Sequence, residues 1–229
     1  MERENSMEAA KAAVLRAAEM HVPFDGWSEA ALKAAVADSG IASGLAAALF
    51  PRGAVDLALA YHQAGDAAMV ERLATADMTG LRYRDKIAAA VRFRLEACTD
   101  KELVRRGTTL FALPQHAAEG ARAIWGTADA IWRALGDTST DANWYSKRSS
   151  LSAVYAATVL YWLGDDSPDH ANTWEFLDRR IDQVVALIKF NAKLRDSKIS
   201  KALLAGPLKF LTAIKAPVTP DDLPGSMKP

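Results

Sequence analysis

Apolar residues recur along this chain at spacings of three and four and almost nowhere alternate with polar ones. Ile87, Val91 and Leu95 share one helix face by that spacing. Ala117, Ala121, Ile124, Trp125, Ala128, Trp132 and Leu135 share a second, and Trp174, Leu177, Ile181, Val184, Val185 and Ile188 a third. Runs of β-branched residues, which mark strands, are scarce. Ala supplies roughly a fifth of the sequence, and no residue favours the helix more. A chain patterned this way has one outlet: helices that bury their apolar stripes against one another, an all-α bundle.

Punctuation divides the pattern. A first helix is expected over 7–22, ended by His21-Val22-Pro23-Phe24-Asp25-Gly26. Ser28 suits the N-cap of a helix over 29–37, and Ser39-Gly40-Ile41 suits the turn after it. A small-residue helix runs to Leu49, and Pro51-Arg52-Gly53 separates it from one over 54–63. Short segments follow from Asp66, then helices over 81–97 and 100–111. Pro114 fits the first turn of a long helix that stops at Gly136. The next, over 141–163, is apolar nearly all round beyond Arg148 and should be central. Ser167-Pro168 starts another, and a last helix covers 197–214. The expected organisation is a helical module over 1–63, a bundle over 64–190, an amphipathic helix over 191–215 and a loose tail over 216–229.

Lys and Arg total 28 and so do Asp and Glu, which leaves no overall field to attract nucleic acid, although a basic patch can hide in a balanced total. The single Cys98 excludes an internal disulfide and reads as a structural thiol. The His and Glu spacings of zinc and di-iron helices are absent, as are the glycine-rich phosphate loops and the Gly-x-Ser-x-Gly elbow. Asp165-Asp166-Ser167-Pro168-Asp169 lacks the Gly and Glu of a calcium loop and reads as a helix stop followed by a restart. No metal, no cofactor and no catalytic constellation are expected.

Gly26-Trp27-Ser28, Ser39-Gly40-Ile41 and Gly44-Leu45 through Leu49-Phe50-Pro51 resemble the helix–turn–helix module of TetR-type regulators. In that family the recognition helix carries side chains that touch phosphates and bases. Here the matching positions are Ala42, Ser43, Leu45, Ala47 and Ala48, so Ser43 alone offers a donor. The charged residues over 26–57 are Glu29, Lys33, Asp38, Arg52 and Asp56, a local −1 where a DNA-binding surface should be positive. The module reads as degenerate, and no DNA partner is expected.

A second block narrows the reading. Asp141-Ala142-Asn143-Trp144-Tyr145-Ser146-Lys147-Arg148, Tyr155-Ala156-Ala157-Thr158, Asp165 through Asp169, and Thr173-Trp174-Glu175-Phe176-Leu177-Asp178-Arg179-Arg180-Ile181 follow in order. With the N-terminal module, this string resembles the ubiquinone (coenzyme Q) biosynthesis accessory lipid-binding family over about residues 20–190. The resemblance implies a TetR-regulator-like fold, a homodimer, no chemistry, and binding of an isoprenoid quinone intermediate or another lipid. It further implies presentation of that intermediate to a ring hydroxylase, above all demethoxyubiquinone hydroxylase. Residues 1–22 lack the features of a secretory or transit peptide, so the expectation is a bacterial member, cytoplasmic and peripheral on the inner face of the plasma membrane. The alternative is a TetR-type repressor that senses a lipid-like ligand.

A lipid chain needs an apolar cavity between helices, and Phe93, Phe111, Ile124, Trp125, Tyr155, Val159 and Trp162 are candidates for its wall, with plain core packing as the alternative. By resemblance Trp144 and Tyr145, with Ile131 and Trp132 on the preceding helix, form the hydroxylase-docking patch; packing at a helix corner is the alternative. Arg148, Arg179 and Arg180 are given no site role. In the last helix Ile199, Leu203, Pro207, Phe210, Leu211 and Ile214 gather on one side and Lys198, Lys201, Lys209 and Lys215 on the other. From Lys193 to Lys215 the local charge is +5, the character of a membrane-surface helix or of one docked on the bundle with its lysines outward. Pro207, after Gly206, would kink or split it.

Overall fold

Helix starts and stops follow the local chemistry of their end residues. In the computed structural model, which describes residues 2–195, the Ser28 hydroxyl accepts from Ala31 N at 3.2 Å and starts a helix. Asp100 and Asp141 cap two others by accepting from Glu102 N (2.8 Å) and Asn143 N (2.9 Å). Gly40, in the left-handed region at φ 68°, ends the helix begun at Ser28. The elements are α1 (Glu2–Asp25), α2 (Glu29–Ser39), α3 (Ser43–Leu49), α4 (Ala54–Thr75) and α5 (Tyr83–Glu96). After them come α6 (Lys101–Ala112), α7 (Ala117–Ala134), α8 (Ala142–Leu163) and α9 (Ala171–Arg195), with a 3-10 turn at Pro168–His170. No strand forms among the described residues.

Two apolar clusters hold the helices together. Val14, Ala18 and Val22 of α1 meet Ala31 and Ala35 of α2, Leu57 of α4 and Leu103 of α6. The larger cluster joins Met69 and Leu73 of α4, Val91 and Leu95 of α5, Ile131 and Trp132 of α7, Val154 and Trp162 of α8, and Leu177 and Ile181 of α9. Each fully buried side chain of this size contributes roughly 1.5–3 kcal/mol relative to exposure. α4 enters both clusters and so ties the N-terminal module to the bundle.

Three expected breaks fall elsewhere. α1 continues through Pro23 to Asp25, and the chain turns only at Gly26, at φ 67°. Proline there removes one amide donor, while Pro23 O is taken by Arg106 Nη2 at 3.0 Å. α4 does not stop near residue 63 but runs through Gly65 to Thr75, so the boundary expected after 63 lies inside a helix. The lack of a side chain at Gly65 makes room for the Arg94 guanidinium, since a Cβ there would lie 2.5 Å from Arg94 Nη1. α7 begins at Ala117, because the residues after Pro114 form a turn closed by His116 N and Leu113 O at 2.9 Å.

The acidic stretch after α8 is a helix stop and restart. Asp165 accepts from Ser167 N (2.9 Å), Thr173 N (2.9 Å) and Thr173 Oγ1 (2.6 Å), and so caps the start of α9. Those hydrogen bonds, led by the Thr173 hydroxyl, hold its carboxyl well below the usual range. The helix expected over 197–214, with its membrane candidates from Lys198 to Ile214, lies outside the described residues.

Candidate functional site

Between α4, α5, α6, α7 and α8 lies a cavity of about 400 Å³, within the range of small-molecule sites. Much of its wall is small or aliphatic: Ala58, Leu103, Val104, Gly107, Ala121, Ile124, Ala156 and Val159. Gly120 lets α7 approach α6, because a Cβ there would sit 2.7 Å from Phe111 Cβ. Of the seven wall candidates read from the sequence, Phe111, Ile124, Tyr155 and Val159 line the cavity. Phe93, Trp125 and Trp162 do not. Phe93 lies under the Arg72 guanidinium at 4.0 Å, Trp162 is 4% exposed in the main core, and Trp125 faces the start of α8. Their helical spacing marked them as turned inward; it carried no information about which neighbour they would meet.

One end of the cavity is polar. Arg94 gives Nε to Asp66 Oδ1 (2.6 Å), Nη2 to His62 O (3.0 Å) and Nη1 to Cys98 Sγ (3.4 Å). Thr127 Oγ1 donates to Asp66 and meets His62 Nε2 at 2.8 Å. Burial opposes the Arg94 charge, but neighbouring Tyr155 and Asp66 hold its pKa above the ordinary arginine value. Burial, helped by the Arg94 charge, lowers His62 to about 4, so the imidazole is neutral near pH 7. Burial pushes the Tyr155 phenol up to about 12 and raises the Cys98 thiol. The polar end is a charge-balanced group of hydrogen bonds with no activated nucleophile. Sequence reasoning missed Tyr61, His62 and Arg94 because the first two, neighbours on α4, stand 32 residues or more from the arginine on α5, and together they match no motif.

A second feature is aromatic. Trp144 and Tyr145 meet edge to face at 4.8 Å between ring centres, and Trp125 of α7 joins them at 5.9 and 6.5 Å. Tyr145 is exposed and Trp144 half-buried. Ile131 and Trp132 do not join this patch: they are 0% and 7% exposed and pack in the main core. α7 turns positions 128, 131 and 132 inward and leaves Trp125 toward α8.

Arg148 holds the patch from beneath. It is 2% exposed, stacks on Trp144 at 4.0 Å, and binds Asp129 Oδ1 (2.6 Å) and Asp137 Oδ2 (3.1 Å). Lys147 adds Asp137 Oδ1 at 2.7 Å. Burial alone would raise the Asp137 carboxyl, but hydrogen bonds from Lys147, Ser139 and Arg148 bring it down to about 2. Arg148 is therefore a structural part of the patch, which its sequence context did not reveal.

α3 turns Ser43, Leu45, Ala47 and Ala48 outward and has no basic residue. Among the described residues, no group of three or more His, Cys, Asp or Glu side chains could hold a metal, and no single helix is long and apolar enough to cross a membrane.

Residues 117–188, which carry the α7 and α8 walls and the aromatic patch, match the family model described as COQ9. The chain is 35% identical over 190 residues to "Ubiquinone biosynthesis protein COQ9, mitochondrial" of Drosophila melanogaster, covering 81% of this chain and 58% of that protein. It is 29% identical over 181 residues to "Probable ubiquinone biosynthesis protein coq9, mitochondrial" of Dictyostelium discoideum, covering 75% of this chain and 58% of that one. The chain thus spans less than two thirds of the length of either relative. Among solved structures, a TetR transcriptional regulator from Nitrosomonas europaea matches with a TM-score of 0.61 at 16% identity, covering 76% of this chain and 97% of that one. That likeness fixes the fold as all-α and TetR-regulator-like.

Proposed function

The chain is a relative of the COQ9 ubiquinone-biosynthesis proteins, and on that premise we propose that it is a non-catalytic, lipid-binding accessory protein of ubiquinone biosynthesis. The cavity takes an isoprenoid quinone intermediate, and the patch of Trp125, Trp144 and Tyr145 docks a ring hydroxylase, demethoxyubiquinone hydroxylase first among the candidates. The observation that carries the reading is the apolar cavity of about 400 Å³ with a polar end, a shape suited to an apolar chain with a polar head. Two copies pair, and residues 197–214 attach the protein to a membrane through an apolar face and a lysine face. The relatives named above are mitochondrial proteins and give no support to a bacterial plasma membrane, so the proposal is for a membrane surface as such.

Deleting the gene should make the hydroxylase substrate accumulate, with the wild-type chain restoring the quinone profile. An unchanged profile would contradict the reading. Trp144→Lys should weaken capture of the hydroxylase about 30-fold, as loss of an aromatic anchor worth about 2 kcal/mol would. Full capture by a folded variant would remove the docking role. The repressor alternative uses the same cavity but needs DNA chemistry that α3 lacks; a sequence-selective mobility shift at low salt would favour it.

A further inference from the structure

We propose that the cavity takes its ligand head first and selects an uncharged oxygen head over an anionic one; this rests on the lipid-binding reading and narrows it. A burial gradient gives the direction. At one end Arg94, Leu95, Leu103 and Tyr155 are 3%, 1%, 1% and 4% exposed. At the other, Ala112, Ala117 and Ala121 are exposed and Leu160 is 61% exposed, so this end is the mouth. Most of the polar side chains that line the cavity gather at the buried end: Tyr61, His62, Arg94, Cys98 and Tyr155. The other polar lining groups are already committed, Trp27 Nε1 to Leu103 O (3.0 Å) and Thr108 Oγ1 to Val104 O (3.0 Å).

Charge decides which head fits. Arg94 is the one formally charged side chain lining the cavity among the described residues, and its charge is already matched by Asp66 at 2.6 Å. Asp66 in turn accepts from Thr127, and His62 beside it is neutral. A carboxylate or phosphate drawn into this end would lose its water and find no spare cation, and an unpaired buried charge is strongly disfavoured. A carbonyl, ether or hydroxyl oxygen meets no such penalty.

Five probes test this with the purified chain near neutral pH: farnesylacetone, farnesol, farnesoic acid, farnesyl phosphate and the headless squalene. Binding is read by tryptophan quenching and checked by native mass spectrometry. The ketone and the alcohol should bind about tenfold or more tighter than the acid and the phosphate. Asp66→Asn, which strips Arg94 of its carboxylate, should shift the preference toward the acid. An acid or phosphate that binds wild type as tightly as the ketone overturns the proposal. So does a folded Asp66→Asn variant with an unchanged ratio, because the head then lies away from Arg94. If squalene equals the ketone, the cavity still binds lipid and only head selection fails. If none of the five binds, the lipid-binding reading fails as well. Should Asp66→Asn not fold, the wild-type series decides alone.

Discussion

Gly65 and His62 lie one turn apart on α4, and both answer to the guanidinium of Arg94. In an open helix, Gly→Ala stabilises by about 0.5–1 kcal/mol. Here the new methyl would lie 2.5 Å from Arg94 Nη1, and Arg94 is held by Asp66 and His62 O. Gly65→Ala is therefore expected to destabilise by about 1–3 kcal/mol, lowering the midpoint of a denaturant melt. A raised midpoint would mean that Arg94 is free to move. His62 sets an acid limit. The unfolded chain takes up a proton there below about pH 6.5, whereas the folded chain resists it until about pH 4. Between these values the unfolded state binds more protons, so stability falls as pH falls, by of order 3 kcal/mol in full. His62→Gln should flatten the pH dependence of the melting midpoint across that window, and an unchanged slope would assign it to other groups.

At the scale of elements, what could be read from the sequence depended on where each residue's partner lies. Ser28 and Asp141 bond backbone amides two or three residues on, so the starts of α2 and α8 were visible locally. Pro23 and Gly65 looked like breaks, because the groups that reconcile them with a helix, Arg106 and Arg94, come 83 and about 30 residues later. The cavity divided the same way. Phe111, Ile124, Tyr155 and Val159 sit on stripes that do face it, yet its volume comes from small residues such as Gly107, Ala121 and Ala156. In a chain this rich in Ala, those positions carry no mark. Arg148 was invisible as a support because Asp129 and Asp137 belong to the preceding helix and loop. Arg148→Met should remove the buried link between Asp129 and Asp137, which keep only Arg133 and Lys147 as cations, and cost about 1–3 kcal/mol in a denaturant melt, with a red shift of tryptophan emission as Trp144 loses its cover. A shift in stability without that emission change would separate the network from the patch.

For the molecule as a whole, the balanced charge is a sum over unlike parts. The N-terminal module presents a short apolar helix where DNA-binding chemistry is missing, and the strongest positive charge in the sequence lies after residue 192. Between them is a bundle whose helices stop short of filling its centre. Ala156 lines that space from α8, so Ala156→Trp should occupy the cavity while leaving the melting temperature within a few degrees of wild type. Lipid extraction and native mass spectrometry of the gently purified chain test the central claim most directly. Wild type should carry an isoprenoid lipid and Ala156→Trp should carry none. Lipid-free wild type that gains no stability from added lipid, or equal loading of both proteins, would contradict the account.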